Sequence, residues 1–330
     1  MSAFRRAVIA AGGVGGIAGV SYLGQRFAAT QMRRRPDGEA HRALVAPMYL
    51  DHTLQTHDRG TIYAVENGPA TATPVVLSHG VTLSVRTWFH QLERLPEAGL
   101  RAIAFDHRGH GASVLGEAGH SLENLGEDVR TVLERLDLRG AVLVGHSMGG
   151  VAVQEFVIRH PDIAKERVAG IVLLSTIAYT PLGSRSTRMK AQLERFASRT
   201  PDTTRMWASP NLGFVLARLG FGRDPHPSHV ELTRRMMADC PHETRRDAPR
   251  VLVGLDLTAE LPSVEVPTLV IGGTADFLTP PFEARRIADL VPGARLELVP
   301  GAGHMVMLER AELLNGLIAD FAREVSPAAR

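Results

Sequence analysis

From about Met48 onward the chain alternates short apolar runs with longer stretches whose apolar residues recur at helical spacing. The runs are Pro74–Ser78, Leu100–Phe105, Ala141–Val144, Val168–Leu174, Pro267–Ile271 and Ala294–Val299. Their length and continuity predict strands buried on both faces. Two edge strands, Leu50–Thr56 and Thr61–Glu66, precede them, joined by the turn His57-Asp58-Arg59-Gly60. Helical spacing marks Ser121–Leu138, Gly150–Arg159, Phe282–Leu290 and Met305–Arg323. Strands that alternate with helices predict an α/β fold, with a mostly parallel eight-stranded sheet covered by helices on both faces. No internal repeat interrupts this order.

One interval breaks the rhythm. Residues 177–262 contain no convincing strand, only the helix-like segments Ser184–Ser198, Asn211–Leu219, Ser228–Ala238 and Glu243–Leu257 with proline-rich joints. They predict a helical lid inserted after the sixth strand, between core parts at 48–176 and 263–325. The insert supplies Phe196, Met206, Trp207, Phe214, Phe221, Met236 and Met237. These residues either form its own small core or line an acyl pocket.

The chemistry centres on Gly145-His146-Ser147-Met148-Gly149. This string joins the run Ala141–Val144 to the helical stretch that starts at Gly150. A serine at the apex of such a turn takes up a strained backbone that only small neighbours tolerate. G-x-S-x-G in a strand–turn–helix context is a nucleophile elbow. A serine hydroxyl also needs a base to take its proton and an anion to orient that base. Asp276 follows the strand Pro267–Ile271, and His304 follows Ala294–Val299. In a parallel sheet both loops open at the edge where Ser147 emerges. The order Ser147, Asp276, His304 is the one that accompanies this elbow. His304 is expected to act as general base and Asp276 to orient it; the rival acids Asp239 and Asp256 fall in the insert. The oxyanion of acyl transfer needs two preorganised N–H donors. The backbone amides of Met148 and Val81 are expected to supply them, the latter from His79-Gly80-Val81 after the strand Pro74–Ser78.

Taken together, several pieces resemble the α/β-hydrolase fold family, in its serine esterase and cofactor-free haloperoxidase-like branch. They are His79-Gly80 with Trp88, Asp106-His107-Arg108-Gly109-His110-Gly111-Ala112-Ser113, the elbow, Gly273–Pro280 and Gly303-His304. The resemblance runs from about Tyr49 to Val325 and implies that Asp106, Arg108 and His146 are structural. It also implies acyl transfer to water, because haloalkane dehalogenation and epoxide hydrolysis place aspartate where Ser147 stands. Carboxylic ester hydrolysis leads. Thioester hydrolysis, C–C hydrolysis and perhydrolysis use the same groups, and a non-catalytic ligand-binding role is the remaining alternative.

Charge bears on partners. Six of the 37 basic residues lie in residues 1–36, which hold no acid; the remaining 31 face 35 acidic residues. An acidic body argues against a nucleic-acid partner. The partner expected is a small, apolar acyl substrate. No Cys/His cluster has metal-ligand spacing, and Gly13-x-Gly15-Gly16 follows no strand, so neither a metal nor a nucleotide cofactor is expected. Residues 1–36 form a basic tail whose apolar part, Ala7–Leu23, is 17 residues long with five glycines. A membrane anchor or interfacial helix leads for it; an uncleaved or cleaved signal and a disordered start stay open. If it spans, the arginines after it place the catalytic body on the cytoplasmic side.

Overall fold

The computed structural model describes residues 22–44, 49–180 and 202–326. Its eight strands are β1 (Leu50–Gln55), β2 (Thr61–Asn67), β3 (Thr73–Ser78), β4 (Leu100–Phe105), β5 (Ala141–His146), β6 (Val168–Leu174), β7 (Thr268–Gly273) and β8 (Arg295–Val299). They form one sheet in the order β1-β2-β4-β3-β5-β6-β7-β8. Strand β2 runs antiparallel to β1 and β4, and every other pairing is parallel. All eight expected strands are therefore present, in an α/β architecture.

The continuous apolar runs divide by alternation, because successive strand residues point to opposite faces. Val75, Leu77, Val142, Val144, Val172, Leu174, Leu269 and Ile271 pack into one buried cluster. Val76, Ile103, Leu143, Ile171, Leu173 and Val270 pack into the other. Each cluster is closed by helices, which is why these strands carry no polar face.

The helices among the described residues are α1 (Tyr22–Arg33), α2 (Ala40–Leu44), α3 (Phe89–Arg94), α4 (Leu122–Arg135), α5 (Met148–Arg159), α6 (Pro161–Arg167), α7 (Thr204–Ala208), α8 (Leu212–Leu219), α9 (Pro227–Asp239), α10 (His242–Asp247), α11 (Pro281–Leu290), α12 (Val306–Glu309) and α13 (Ala311–Val325). Ser121 starts α4 by accepting the Asn124 N–H at 3.1 Å, the cap its position before the apolar stripe predicts.

Two expected helices are interrupted. Glu243–Leu257 stops at Asp247 and continues as a 3₁₀ turn, Ala248–Leu252; Pro249 lacks the N–H an α-helix needs there. Met305–Arg323 divides at Arg310 (φ −139°, ψ 47°) into α12 and α13. Beside the break, the Glu309 carboxylate accepts N–H groups from Gly222 at 2.6 Å and Gly303 at 2.9 Å. Helices α2, α3, α6 and α7 went unforeseen in the sequence, and the expected helix Ser184–Ser198 lies outside the described residues.

Between β6 and β7 the described chain is helical, from α7 to α10. The segment before β1 packs on it. Ala29 of α1 is fully buried, and the Arg33 guanidinium lies 4.4 Å from the Phe214 ring centroid. Asp37 accepts both the N–H (2.6 Å) and the hydroxyl (2.9 Å) of Ser228. Thus part of the stretch that the sequence assigns to a tail is a packed helix. Apart from its last two residues, Ala7–Leu23 lies outside the described residues. Among the described residues, no helix is long and apolar enough to cross a membrane.

Candidate active site

Ser147 sits between β5 and α5 with φ 52° and ψ −118°, a conformation that costs a non-glycine residue of order 1–3 kcal/mol. Hydrogen bonds hold it there. Its N–H donates to the Leu174 carbonyl at 3.0 Å. Its own carbonyl accepts the Thr176 hydroxyl at 2.7 Å and the Gly150 N–H at 2.9 Å. The flanking glycines are steric necessities. A Cβ on Gly145 would lie 2.5 Å from the Gly149 carbonyl oxygen, and one on Gly149 would lie 2.3 Å from that of Ser78. Ser147 occupies the N-cap position of α5, yet its side chain caps nothing. The strained turn withholds the hydroxyl from the helix it would otherwise stabilise.

Asp276 follows β7 and His304 follows β8, each buried. His304 Nδ1 lies 2.8 Å from Asp276 Oδ2. The second oxygen, Oδ1, accepts the N–H groups of Leu278 at 2.8 Å and Thr279 at 3.0 Å. The Thr279 hydroxyl donates to Oδ2 at 2.6 Å and stands 3.2 Å from His304 Nδ1. Burial alone would raise the Asp276 pKa, but the adjacent imidazole and these donors outweigh it and hold the carboxyl below the ordinary range. Asp276 is therefore an anion at neutral pH, with all its donors aimed at it.

The His304 backbone is fixed from both sides. Its N–H donates to the Gly220 carbonyl at 2.8 Å. Its carbonyl accepts His146 Nε2–H at 3.0 Å, and the two imidazole centroids stand 4.6 Å apart. Position 146 thus braces position 304, in keeping with the structural role the resemblance implies.

Ser147 and His304 line one cavity of about 450 Å³, together with Gly80, Val81 and Met148. Its remaining wall is mostly apolar: Leu83 and Val151 from the core, Trp207, Leu219 and Met237 from the insert, and Phe277 and Leu278 beside Asp276. The insert's large residues therefore divide between the two expectations. Phe214, Phe221 and Met236 are core, Trp207 and Met237 face the cavity, and Phe196 lies outside the described residues.

The Gly80-Val81 loop passes directly over the serine. A Cβ on Gly80 would stand 3.2 Å from Ser147 Cβ and 2.9 Å from His146 Nδ1. His79 anchors this loop: Nδ1–H donates to the Gly80 carbonyl at 2.7 Å, while Nε2 accepts the His107 N–H at 3.0 Å. Complete burial lowers the His79 pKa to about 4, so the ring stays neutral in that tautomer. Met148 is the first residue of α5, where backbone N–H groups lack helical acceptors. Among the described residues, neither the Val81 nor the Met148 N–H meets a protein acceptor. Two free donors, one at the start of α5 and one in the loop after β3, suit an anion.

The other acids lie elsewhere. Asp239 and Asp256 are exposed, and Asp256 spends its Oδ1 on the N–H and hydroxyl of Thr258. Asp106 accepts N–H groups from Val85 at 2.7 Å and Ala112 at 2.8 Å. Arg108 clamps Asp128 through two bonds of 2.8 and 2.7 Å and reaches Asp58 at 3.1 Å. Both brace the loop after β4, outside the cavity. Sequence reasoning missed Thr176 and Thr279. For Thr279, the three-residue spacing from an aspartate was a usable turn signal; for Thr176 there was none.

Comparison with known proteins agrees with this architecture. Residues 73–311 match the family model described as "alpha/beta hydrolase fold". The chain is 30% identical over 279 residues to a non-heme chloroperoxidase of Burkholderia pyrrocinia, covering 82% of this chain and 99% of that one. It is 30% identical over 280 residues to a bifunctional esterase/perhydrolase of Acinetobacter calcoaceticus, with the same coverage. A thermophilic esterase from Thermogutta terrifontis superposes with a TM-score of 0.69 at 27% identity, over 85% of this chain and all of the other. An elbow serine on a sheet of this strand order, a family match across both halves of the core and relatives of nearly equal length leave one classification: the chain is an enzyme of the α/β-hydrolase fold family.

Proposed function

We propose that this enzyme is a serine hydrolase that cleaves a carboxylic ester of a small, apolar acyl substrate. The observation that carries the reading is the shared cavity: Ser147, held free of its helix, faces the same apolar space as an imidazole bonded to a buried carboxylate. In this reading Ser147 Oγ attacks the ester carbonyl while His304 Nε2 takes its proton. Asp276 fixes the tautomer with Nδ1–H and stabilises the imidazolium. The N–H groups of Val81 and Met148 receive the oxyanion, a contribution worth roughly 10²–10³ in rate per donor. The imidazolium then protonates the departing alkoxide, and water, deprotonated by the same imidazole, releases the acid from Ser147.

A second reading uses the same acyl-enzyme with hydrogen peroxide in place of water, giving a peracid. The relatives named as a chloroperoxidase and an esterase/perhydrolase favour it. The test is a panel of p-nitrophenyl acyl esters, thioesters and monoacylglycerols, with peracid formation measured from carboxylic acid and peroxide. Labelling of Ser147 by a fluorophosphonate, absent in Ser147→Ala, supports a serine hydrolase. Folded wild type that takes no label and turns over no ester would favour a ligand-binding module instead.

A further inference from the structure

On the face of the molecule formed by α3, α9 and the residues before α2, a second polar cluster has no part in the chemistry above. His90 comes from α3, His229 from α9 and Glu39 from the turn that leads into α2. One ligand-type atom from each lies within 4.8 Å of the other two. We propose that Glu39, His90 and His229 bind a divalent zinc ion, which ties the N-terminal segment and the helical insert to the core.

Both imidazoles are nearly inaccessible, with His90 7% and His229 1% exposed. Yet His90 Nε2 and both ring nitrogens of His229 have no hydrogen-bond partner. An unpaired polar atom in such a place is costly unless something satisfies it. A metal ion would take one lone pair from each ring, leaving one His229 nitrogen to find another acceptor. The Leu308 carbonyl approaches His229 without making a hydrogen bond of good geometry. It stands where the second nitrogen of a metal-bound imidazole ordinarily finds an acceptor.

Two imidazoles and a carboxylate with a fourth position open to water is a zinc donor set. Ligand atoms around tetrahedral zinc stand about 3.3 Å apart, so the cluster must close by about 1.5 Å at most. Glu39, which is only half-buried, can approach by a side-chain torsion, and any remaining gap between the two imidazoles closes by small ring rotations. Arg42, Arg94 and Arg310 line the same depression and oppose a cation. Two of them are paired with carboxylates outside the proposed donor set, Arg42 with Glu93 and Arg94 with Glu97; Arg42 also reaches Glu39 at 3.3 Å, a contact that zinc would have to displace or share. Sequence spacing gave no hint, because the three ligands lie at positions 39, 90 and 229 and come from three separate elements.

The site would act on the insert rather than on the chemistry. Thr233 and Met237, one and two turns after His229 on α9, line the Ser147 cavity. Metal at His229 would therefore steady one wall of that cavity.

The experiment uses the full chain without a histidine tag, stripped with a chelator and titrated with zinc chloride against a chromogenic chelator. Wild type is expected to take up one equivalent, with a thermal midpoint that rises as zinc is added. Glu39→Gln should weaken zinc at least tenfold and flatten that rise; His229→Gln should abolish specific uptake. If His229→Gln fails to fold, Glu39→Gln, on a half-buried residue, decides. No uptake by wild type, or equal uptake in wild type and Glu39→Gln, would overturn the site and leave the two histidines as a packing pair, edge to face at 5.3 Å beside Phe89.

Discussion

Replacing Asp276 by asparagine separates orientation from mere packing. The carboxylate accepts four hydrogen bonds: two backbone N–H groups on Oδ1, and the Thr279 hydroxyl and His304 Nδ1 on Oδ2. Asparagine has one oxygen to offer. It will keep the two backbone donors, which cannot turn away, and so present its NH₂ to Thr279 and His304. His304 Nδ1 must then accept, its proton moves to Nε2, and the ring can no longer take the proton of Ser147. The wrong tautomer and the lost anion together are worth about 10⁴ in kcat in the triad template. Thr279, 3.2 Å from Nδ1, offers a residual partner, so we expect a loss of roughly 10³–10⁴, or about 4–5.5 kcal/mol of barrier. The assay is kcat/KM on a short-chain p-nitrophenyl ester, alongside near-UV circular dichroism to show an intact fold. A loss below tenfold in a folded variant, or a larger loss from Asp256→Asn, would refute the orienting role.

Other substitutions probe neighbouring links. Ser147→Ala should lower ester turnover by roughly 10⁵–10⁶ without unfolding the protein, measured with the same ester; a loss under tenfold would remove Ser147 as nucleophile. Gly149→Ala places a methyl 2.3 Å from the Ser78 carbonyl oxygen and should cost about 3 kcal/mol or more, read as a fall in the urea midpoint. Acidification should weaken the fold through Asp276. Its native pKa lies below the unfolded value of about 3.9, so its stabilisation is complete above that pH and is lost as pH falls through the native value; Asp276→Asn should therefore have a flatter acid-unfolding curve than wild type. If the tail is the membrane anchor that its sequence leads one to expect, removing residues 1–21 releases the protein from membranes and spares turnover of soluble esters, whereas removing 1–36 also strips Arg33 from Phe214 and should lower the thermal midpoint. Equal membrane partitioning of the full chain and the shorter deletion would rule that expectation out.

The features legible in the sequence are those encoded locally. Val142, Leu143 and Val144 announce a strand with two covered faces by their continuity alone, and Ser121 announces a helix start. The elbow is legible for the same reason. Gly145 and Gly149 are demanded by contacts within five residues of one another or with the strand beside them, so they leave a fixed string. Asp276 and His304 are 28 residues apart and more than 100 from Ser147. They were legible only because a parallel sheet delivers every loop after a strand to one edge, which turns distance in sequence into position in space.

What stayed hidden lacks such a rule. Thr176 holds the strained Ser147 carbonyl, and nothing in Ser175-Thr176-Ile177 says that a threonine hydroxyl rather than solvent will meet it. Trp207 and Phe214 look alike as insert aromatics, yet one faces the cavity and the other is core. That division depends on how α8 and α9 sit over the sheet, and α1 helps set it by laying Arg33 across Phe214. The strain at Ser147 joins the legible and illegible parts. Its cost of order 1–3 kcal/mol is borne by contacts with β3, β6 and the loop after β6, so the fold as a whole, rather than the five-residue string, keeps the hydroxyl free. A substitution at Thr176 should for this reason disturb turnover before it disturbs stability: Thr176→Val keeps the shape, removes one 2.7 Å bond, and lets the turn relax toward the N-cap geometry that would occupy the hydroxyl.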